Sequence, residues 1–402
     1  MSQDYRRIIM SMSNFTSDFE AVDRYYKLYG KTIHSNFPLP LPEAGQKQTD
    51  IRVIYEGYVP KRLDHSPVPR GLEWTVRDGT RNLSYYFSDG KELTFRFSDD
   101  GREIRFTHSW RHWKELRFPL INGAVAAALK IQGHTALHAA SLVWKGRSFL
   151  FMGHSGRGKS TLAAALIDAG MSAHSDDIAI PFWEDARSQY GPTEGRISGQ
   201  NPHIKNQSQS DSTDNDVPVI PAGYAMIKVK PEIIRLLGVQ EARPVKIFCH
   251  HNEDDESWFR ATELLGGFYN GLAPLAGIFI LGNRYRNGQP KHKTAGDSSK
   301  PGENVEPITD NNYVQVNQIS GMPATLELLE HIYGVSWMSP PGDSSLKLAA
   351  RLAGDIPVFR LSMPNDLSQL QDAAGELLQR HINPLAGSYK TTKPPFAVTK
   401  RH

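Results

Sequence analysis

The run Gly153-His154-Ser155-Gly156-Arg157-Gly158-Lys159-Ser160-Thr161 constrains this chain more than any other feature. It satisfies G-x-x-x-x-G-K-[ST] at every fixed position. Each residue type has a physical reason. The glycines let the backbone curl so that successive N–H groups face phosphate oxygens. Lys159 supplies a point charge for the β- and γ-phosphates, and the Ser160 hydroxyl suits a Mg²⁺ ligand. The helix that follows directs its positive end at the anion. The flanks agree with that reading. Phe149 to Met152 is apolar and strand-like, Thr161 to Ile167 is strongly helix-forming, and Gly170 is a stop signal. A strand–loop–helix unit of this kind demands an α/β core. Arg157 either adds charge near the phosphates or points to solvent.

A second cluster follows the loop helix at short range, Ala173-His174-Ser175-Asp176-Asp177-Ile178-Ala179-Ile180. The strand after a loop helix comes back toward the first strand, which places these carboxylates near the nucleotide phosphates. Two adjacent carboxylates can divide labour: one holds Mg²⁺ and the other accepts a proton from an attacking hydroxyl. Other phosphate-loop classes fit less well. The N-K-x-D run of a GTPase is absent, and Ile197-Ser198-Gly199-Gln200 is only a fragment of the ABC-type L-S-G-G-Q.

Around this core the patterning changes. Residues 51–108 show short alternating runs broken by Asp-Gly turns, which predict antiparallel hairpins. Phe37-Pro38-Leu39-Pro40-Leu41-Pro42 reads as an extended linker or edge segment. Ile121 to Ile131 has helical spacing. His138 to Trp144 and Ser148 to Met152 flank Lys145-Gly146 as a hairpin. Ile278 to Leu281 is a buried-strand candidate, and Pro323–Ile332 and Pro364–Leu378 read as amphipathic helices. The expected division is a β-rich unit over 24–118, a phosphate-binding core over 119–385 and a basic tail over 386–402. Two polar stretches, 201–216 and 287–312, carry too little apolar surface to order themselves.

Composition narrows the function classes. The 402 residues hold one cysteine, Cys249, which excludes a disulfide framework and a cysteine-cluster metal site. His250-His251 and the acidic run after it are spaced poorly for chelation. There is no run of 18 apolar residues and no apolar signal core, so a soluble cytoplasmic protein is expected, with no membrane partner. A net charge of +3 is too small for a dedicated DNA or RNA binder but suits acidic ligands. Trp74, Trp110 and Trp113 read as packing of a small β domain rather than as a docking surface.

The loop, the Asp176-Asp177 pair and His138, fifteen residues before Gly153, together resemble the C-terminal domain of HPr kinase/phosphorylase, a bacterial serine kinase. The resemblance implies a phosphoenolpyruvate-carboxykinase-like nucleotide-binding core, ATP as donor and Mg²⁺ as cofactor. It implies Asp176 as base for a serine hydroxyl, Asp177 with Ser160 on the metal, and His138 close to the phosphates; His138 also suits a packed strand position. A broader likeness covers most of the chain. Tyr29-Gly30-Lys31-Thr32-Ile33-His34-Ser35, Gly223 to Val229, Arg243-Pro244-Val245 and Ile278 to Leu281 are similar to the HPr-kinase-related proteins of peptide-maturation clusters, notably kinases of lasso-peptide precursors. It implies a precursor peptide or small protein as acceptor. A small-molecule kinase and a non-catalytic nucleotide-binding regulator are the alternatives. Lys228 and Arg243 contact phosphate or a peptide carboxylate, or else make surface salt bridges. HPr kinases assemble as hexamers, so a homo-oligomer is one expectation.

Overall fold

The computed structural model describes residues 23–45, 48–59, 71–86, 91–109, 119–183, 196–198, 217–239, 242–244, 257–264, 266–282, 285–286, 289–290, 314–334, 343–364 and 366–388. Trp110, Trp113, Cys249, the 250–256 acidic run, 201–216, most of 287–312 and the tail beyond 388 lie outside them. The chain divides into two compact units. One comprises Met1–His134 with two short later segments; the other runs from Thr135 and holds most of the rest. This boundary falls later than the one expected at 118/119, because the helical segment before His134 packs on the first unit.

In the first unit, seven strands among the described residues form one sheet: β1 (Arg24–Leu28), β2 (Lys31–Ser35), β3 (Ile51–Tyr58), β4 (Gly71–Arg77), β5 (Thr80–Tyr86), β6 (Glu92–Phe97) and β7 (Glu103–His108). Their order is β1-β2-β3-β7-β6-β5-β4. The hairpins expected about Asp89-Gly90 and Asp100-Gly101 are present as the antiparallel pairs β5–β6 and β6–β7, and Asp78 at φ 49° with Gly79 at φ 76° joins β4 to β5 in a further one. The unit is not purely antiparallel, however, since β3 lies parallel to both β2 and β7. Parallel neighbours need a long connection, and the proline-rich segment provides it. That segment is no loose linker: Phe37, Leu39 and Leu41 are buried, and Lys27 N donates to Pro42 O along the edge of β1. Trp74 packs its ring 5.5 Å from Phe97. The apolar spacing of 121–131 resolves into a π-turn, Pro119–Ala124, and helix α1 (Val125–Ile131). Gln132 ties this helix to the sheet by donating to Gly101 O.

The second unit is a mixed α/β structure. Its main path is β12 (Arg196–Ser198), β16 (Phe268–Asn270), β10 (Ser172–Ser175), β8 (Leu137–Trp144), β9 (Arg147–Met152), β17 (Leu272–Leu281), β21 (Val358–Ser362) and β20 (Gln315–Ile319). Beside it β11 (Ile178–Ala179) pairs with β8 and β13 (Val219–Pro221) with β17, while β14 (Met226–Val229) pairs with β15 (Ser257–Arg260) and β18 (Tyr285–Arg286) with β19 (Gln289–Pro290). The β8–β9 hairpin turns at Lys145 and Gly146, both at positive φ. β9 runs parallel to β17, and β17 parallel to β21. All six residues of β9 are buried, as expected for a strand covered on both faces. Alternation divides them. Phe149 and Phe151 join a core with α2 (Lys159–Asp168), α3 (Pro231–Leu236) and α6 (Leu370–Glu376). Leu150 and Met152 join another with α4 (Gly321–Glu330) and α5 (Asp343–Asp355). Among the described residues, no helix is long and apolar enough to cross a membrane.

Gly266 marks where this unit tolerates least. Its N–H donates to Ile167 O, and its carbonyl accepts from Ser172 Oγ. A Cβ there would overlap the carbonyl of Met171 and lie 2.7 Å from Ile167 O. Both obstacles are backbone, so Gly266→Ala is expected to cost about 3 kcal/mol or more. Gly354→Ala in α5, where a Cβ meets nothing within 4 Å, should be neutral or stabilising by about 0.5–1 kcal/mol. Denaturant midpoints of the two variants decide this, and equal midpoints would refute it.

Candidate active site

The site assembles where β9 runs into α2. Gly153, at φ 153°, sits where a Cβ would meet the Leu281 side chain at 3.2 Å. Gly158, at φ 88°, occupies the N-cap of α2 in left-handed geometry. Only glycine takes both positions without strain. Between them the loop is held by a turn, Arg157 N donating to His154 O, with His154, Ser155 and Gly156 exposed. Thr161 follows in the first turn of α2, partly exposed. Lys159 is buried, and its Nζ donates to Gly153 O at 2.9 Å. The ammonium is thereby folded back over the concave side of its own loop, the place where phosphate oxygens would need it.

The strand pair β8–β10 brings the carboxylates. Asp176 lies at the end of β10 and is buried. Its Oδ1 accepts from Ser160 Oγ at 3.4 Å, and its Oδ2 from the backbone N–H of Lys228 at 2.9 Å. Lys228 belongs to β14 (Met226–Val229). Burial first, and the Asp177 charge second, push the Asp176 carboxyl up to about 7. Asp177 adopts φ 71°, rare for a residue with a side chain. Its backbone O accepts from Ala139 N, and its carboxylate lies 3.9 Å from His138 Nε2. Burial first, and then the Lys159 charge, lower the His138 pKa, with Asp177 acting in the opposite sense.

All of Gly153 to Thr161, His138, Asp176 and Asp177 thus fall on one end of one sheet. The carboxylate beside Ser160 is Asp176, while Asp177 stands with His138. Lys228 contributes its backbone N–H to Asp176. Arg243 is exposed, and its backbone N–H donates to the Glu263 carboxylate.

A second wall was invisible in the sequence. His138 N donates to His331 O, and Tyr333 N to Ala136 O, which ties the segment after α4 to β8. His331 is buried, its ring 5.1 Å from that of His154. Burial, then the neighbouring His154, His138 and Lys159 charges, hold it down to about 3, so it stays neutral. Glu330 Oε2 lies 3.7 Å from His154 Nε2. His174 is a separate case. Its Nδ1 meets Ser141 Oγ and its Nε2 meets Gly271 O, which fixes β10 to β8 and to the turn before β17.

Among the described residues no group of three His, Cys, Asp or Glu is arranged to hold a metal by itself. Mg²⁺ does not need one, because it is commonly held by one or two carboxylates together with substrate phosphates and water. Ser160 and the Asp pair fit that partial donor set.

No protein-family model matches the chain, and no curated protein matches it. Among solved structures, the Hpr(Ser) kinase/phosphatase from Coxiella burnetii aligns with 63% of this chain and 99% of its own, at 14% identity and a TM-score of 0.27. At that score the likeness carries no functional argument.

Proposed function

We propose that the chain is an ATP-dependent, Mg²⁺-requiring phosphotransferase with a phosphoenolpyruvate-carboxykinase-like core, which phosphorylates a serine hydroxyl of a peptide or small protein. A lasso-type precursor peptide is the acceptor suggested by the sequence resemblance. One observation carries the chemistry: a buried carboxylate raised to about 7 already accepts a hydrogen bond from a serine hydroxyl beside the phosphate loop. An acceptor serine in a like position would make the same bond and pass its proton to the same oxygen. A base poised near the working pH is the efficient choice, and two carboxylates in unlike surroundings, Asp176 buried and Asp177 partly exposed, can take two roles.

In this mechanism Lys159 and the loop backbone hold the phosphates and offset charge that spreads over the transferred group. The Lys228 N–H orients Asp176. Mg²⁺ would be held at Ser160 by phosphate oxygens and the neighbouring Asp pair, and would offset charge on the phosphates. His138 fixes Asp177 and faces the transferred phosphoryl group. The test is purified protein with ATP, Mg²⁺ and a panel of serine peptides, read by mass. A phosphate gain on a peptide is expected. ATP consumption only with free metabolites would instead establish a small-molecule kinase, and tight ATP binding with no turnover a regulator.

A further inference from the structure

The sheet of the first unit ends in two unlike edges. At β1 the edge is occupied: Lys27 N donates to Pro42 O and Ala44 N to Tyr25 O, so the proline-rich segment runs along it. At the other end, among the described residues, β4 has β5 as its one neighbour. Alternation along the sheet shows which groups of β4 look outward. Arg77 and Thr80 close a two-residue turn opposite each other, so they exchange hydrogen bonds, as do Thr75 with Asn82 and Glu73 with Ser84. Ser109 N donating to Glu92 O sets the even residues of β6 toward β7, which agrees with this phase. The N–H and C=O groups of Leu72, Trp74 and Val76 therefore point away from β5. Soluble proteins guard such an edge with lysine, proline or a bulge. Gly71-Leu72-Glu73-Trp74-Thr75-Val76-Arg77 has none of these, keeps an unbroken register with β5, and leaves Val76 61% exposed.

We propose that β4 pairs antiparallel with β4 of a second copy of this chain, about a two-fold axis at Thr75. The strand's own sequence supplies the register. With Thr75 opposite Thr75, Glu73 of each copy lies opposite Arg77 of the other, and Trp74 opposite Val76. Opposite charges thus meet twice, once on each side of the axis. The outward N–H and C=O groups of Trp74 and Val76 fall into hydrogen-bonded pairs, the phase that the β4–β5 ladder leaves open. The apolar face also continues. Trp74 stands in a row with Leu83, Phe95 and Phe106 across β5, β6 and β7, and Val76 of the other copy extends that row. Other registers do worse. Centring on Glu73 sets like charges opposite each other, and centring on Trp74 or Val76 leaves the charges without partners. A slip of one residue lays the polar face of one copy beside the apolar face of the other. Glu73 already accepts from Tyr86 Oη at 3.1 Å, which steadies its carboxylate and leaves it acceptor capacity for Arg77. A contact of this kind is the same patch on both copies, so it closes as a dimer. The pairing is independent of what the second unit catalyses.

The experiment is sedimentation velocity of the full chain. It should show a reversible shift from monomer to dimer across roughly 1–100 μM, the range suited to an interface of a few strand residues. Over the same range, hydrogen exchange at the amides of Trp74 and Val76 should slow about fivefold, while Thr75 and Arg77, bonded to β5, stay unchanged. Glu73→Arg and Arg77→Glu each set like charges opposite each other, and each should weaken dimerisation at least about tenfold. An equimolar mixture of the two variants should recover wild-type association, because each pair of unlike copies restores opposite charges on both sides of the axis. This recovery separates a lost contact from a misfolded variant. A chain that stays monomeric at about 100 μM would overturn the pairing. So would a dimer that both variants leave intact, which would place the contact elsewhere. Slow exchange at Trp74 and Val76 in the monomer would also overturn it, by showing that the chain covers this edge itself.

Discussion

Asp176→Asn is expected to lose transfer by about 10³-fold while the folded chain becomes more stable above neutral pH. The two effects have one cause. Asp176 is buried among β8, β10 and β14, and its carboxyl is raised from 3.8 to about 7, chiefly by burial and then by Asp177. In the unfolded chain the same group ionises at its ordinary value. Between those values the folded state holds a proton that the unfolded state has released. The contribution of this group to stability is therefore fully present below about pH 4 and is lost as pH rises through about 7. Above that, folding carries the whole cost of a buried, crowded carboxylate. Asparagine keeps an oxygen for the Lys228 N–H and supplies an amide donor to Ser160 Oγ, without the charge. The melting temperature of the variant relative to wild type should rise from pH 4 to pH 8, and nucleotide affinity should change by no more than about threefold. Transfer that survives the substitution would remove Asp176 as the base. A melting temperature lowered at pH 8 would show that its carboxylate is not the strained group described here. Catalytic sites commonly carry such a cost in stability.

Lys159→Met should have an effect at least as large on transfer, about 10³-fold or more, and should also weaken nucleotide binding. The ammonium is buried and held by the carbonyl of Gly153. On the proposed function it is pre-organised for phosphate, with little side-chain freedom left to lose on binding. Methionine matches the aliphatic stem, so the circular dichroism spectrum and the packing around α2 should survive. Lys159→Arg should not restore activity, because a planar fork cannot replace a compact ammonium inside so tight a loop. Separate measurement of Kd and kcat decides the matter. If Lys159→Met keeps wild-type kcat and loses only affinity, Lys159 serves ground-state binding alone, and its proposed role in the transition state fails.

The two variants differ in how far their residues were legible. Lys159 could be placed from the sequence because the signal around it is local. Nine consecutive residues specify a curl, a cation, a hydroxyl and a helix start, and the glycine conformations at Gly153 and Gly158 follow from steric rules. The Asp pair was legible as a pair, since a short helix return brings it back to the loop. Its division of labour was not. Which carboxylate meets Ser160, and which one meets His138, depends on the bend after β10 and on the positive φ of Asp177. The N–H that orients Asp176 comes from Lys228, whose side chain had drawn attention while its backbone does the positioning.

The first unit makes the same point. Alternation in 51–108 identified strands and turns, because period two and Asp-Gly pairs are local signals. It could not identify neighbours. Pairing of β3 with β2 and β7 in parallel depends on a connection that the prolines of 37–42 had suggested was a linker. Buried Phe37, Leu39 and Leu41 show it to be part of the packing.

By itself, then, the sequence determined an α/β chain with a G-x-x-x-x-G-K-[ST] loop, a following helix and a nearby pair of carboxylates. These depend on backbone sterics and on contacts among residues close in the chain. Only the tertiary structure decided that His331 and Glu330 stand beside His154, and that Asp176 is buried enough to titrate near 7. Strand order brings those groups together, and desolvation, which sets the pKa, is a property of everything packed around a group rather than of its neighbours in sequence.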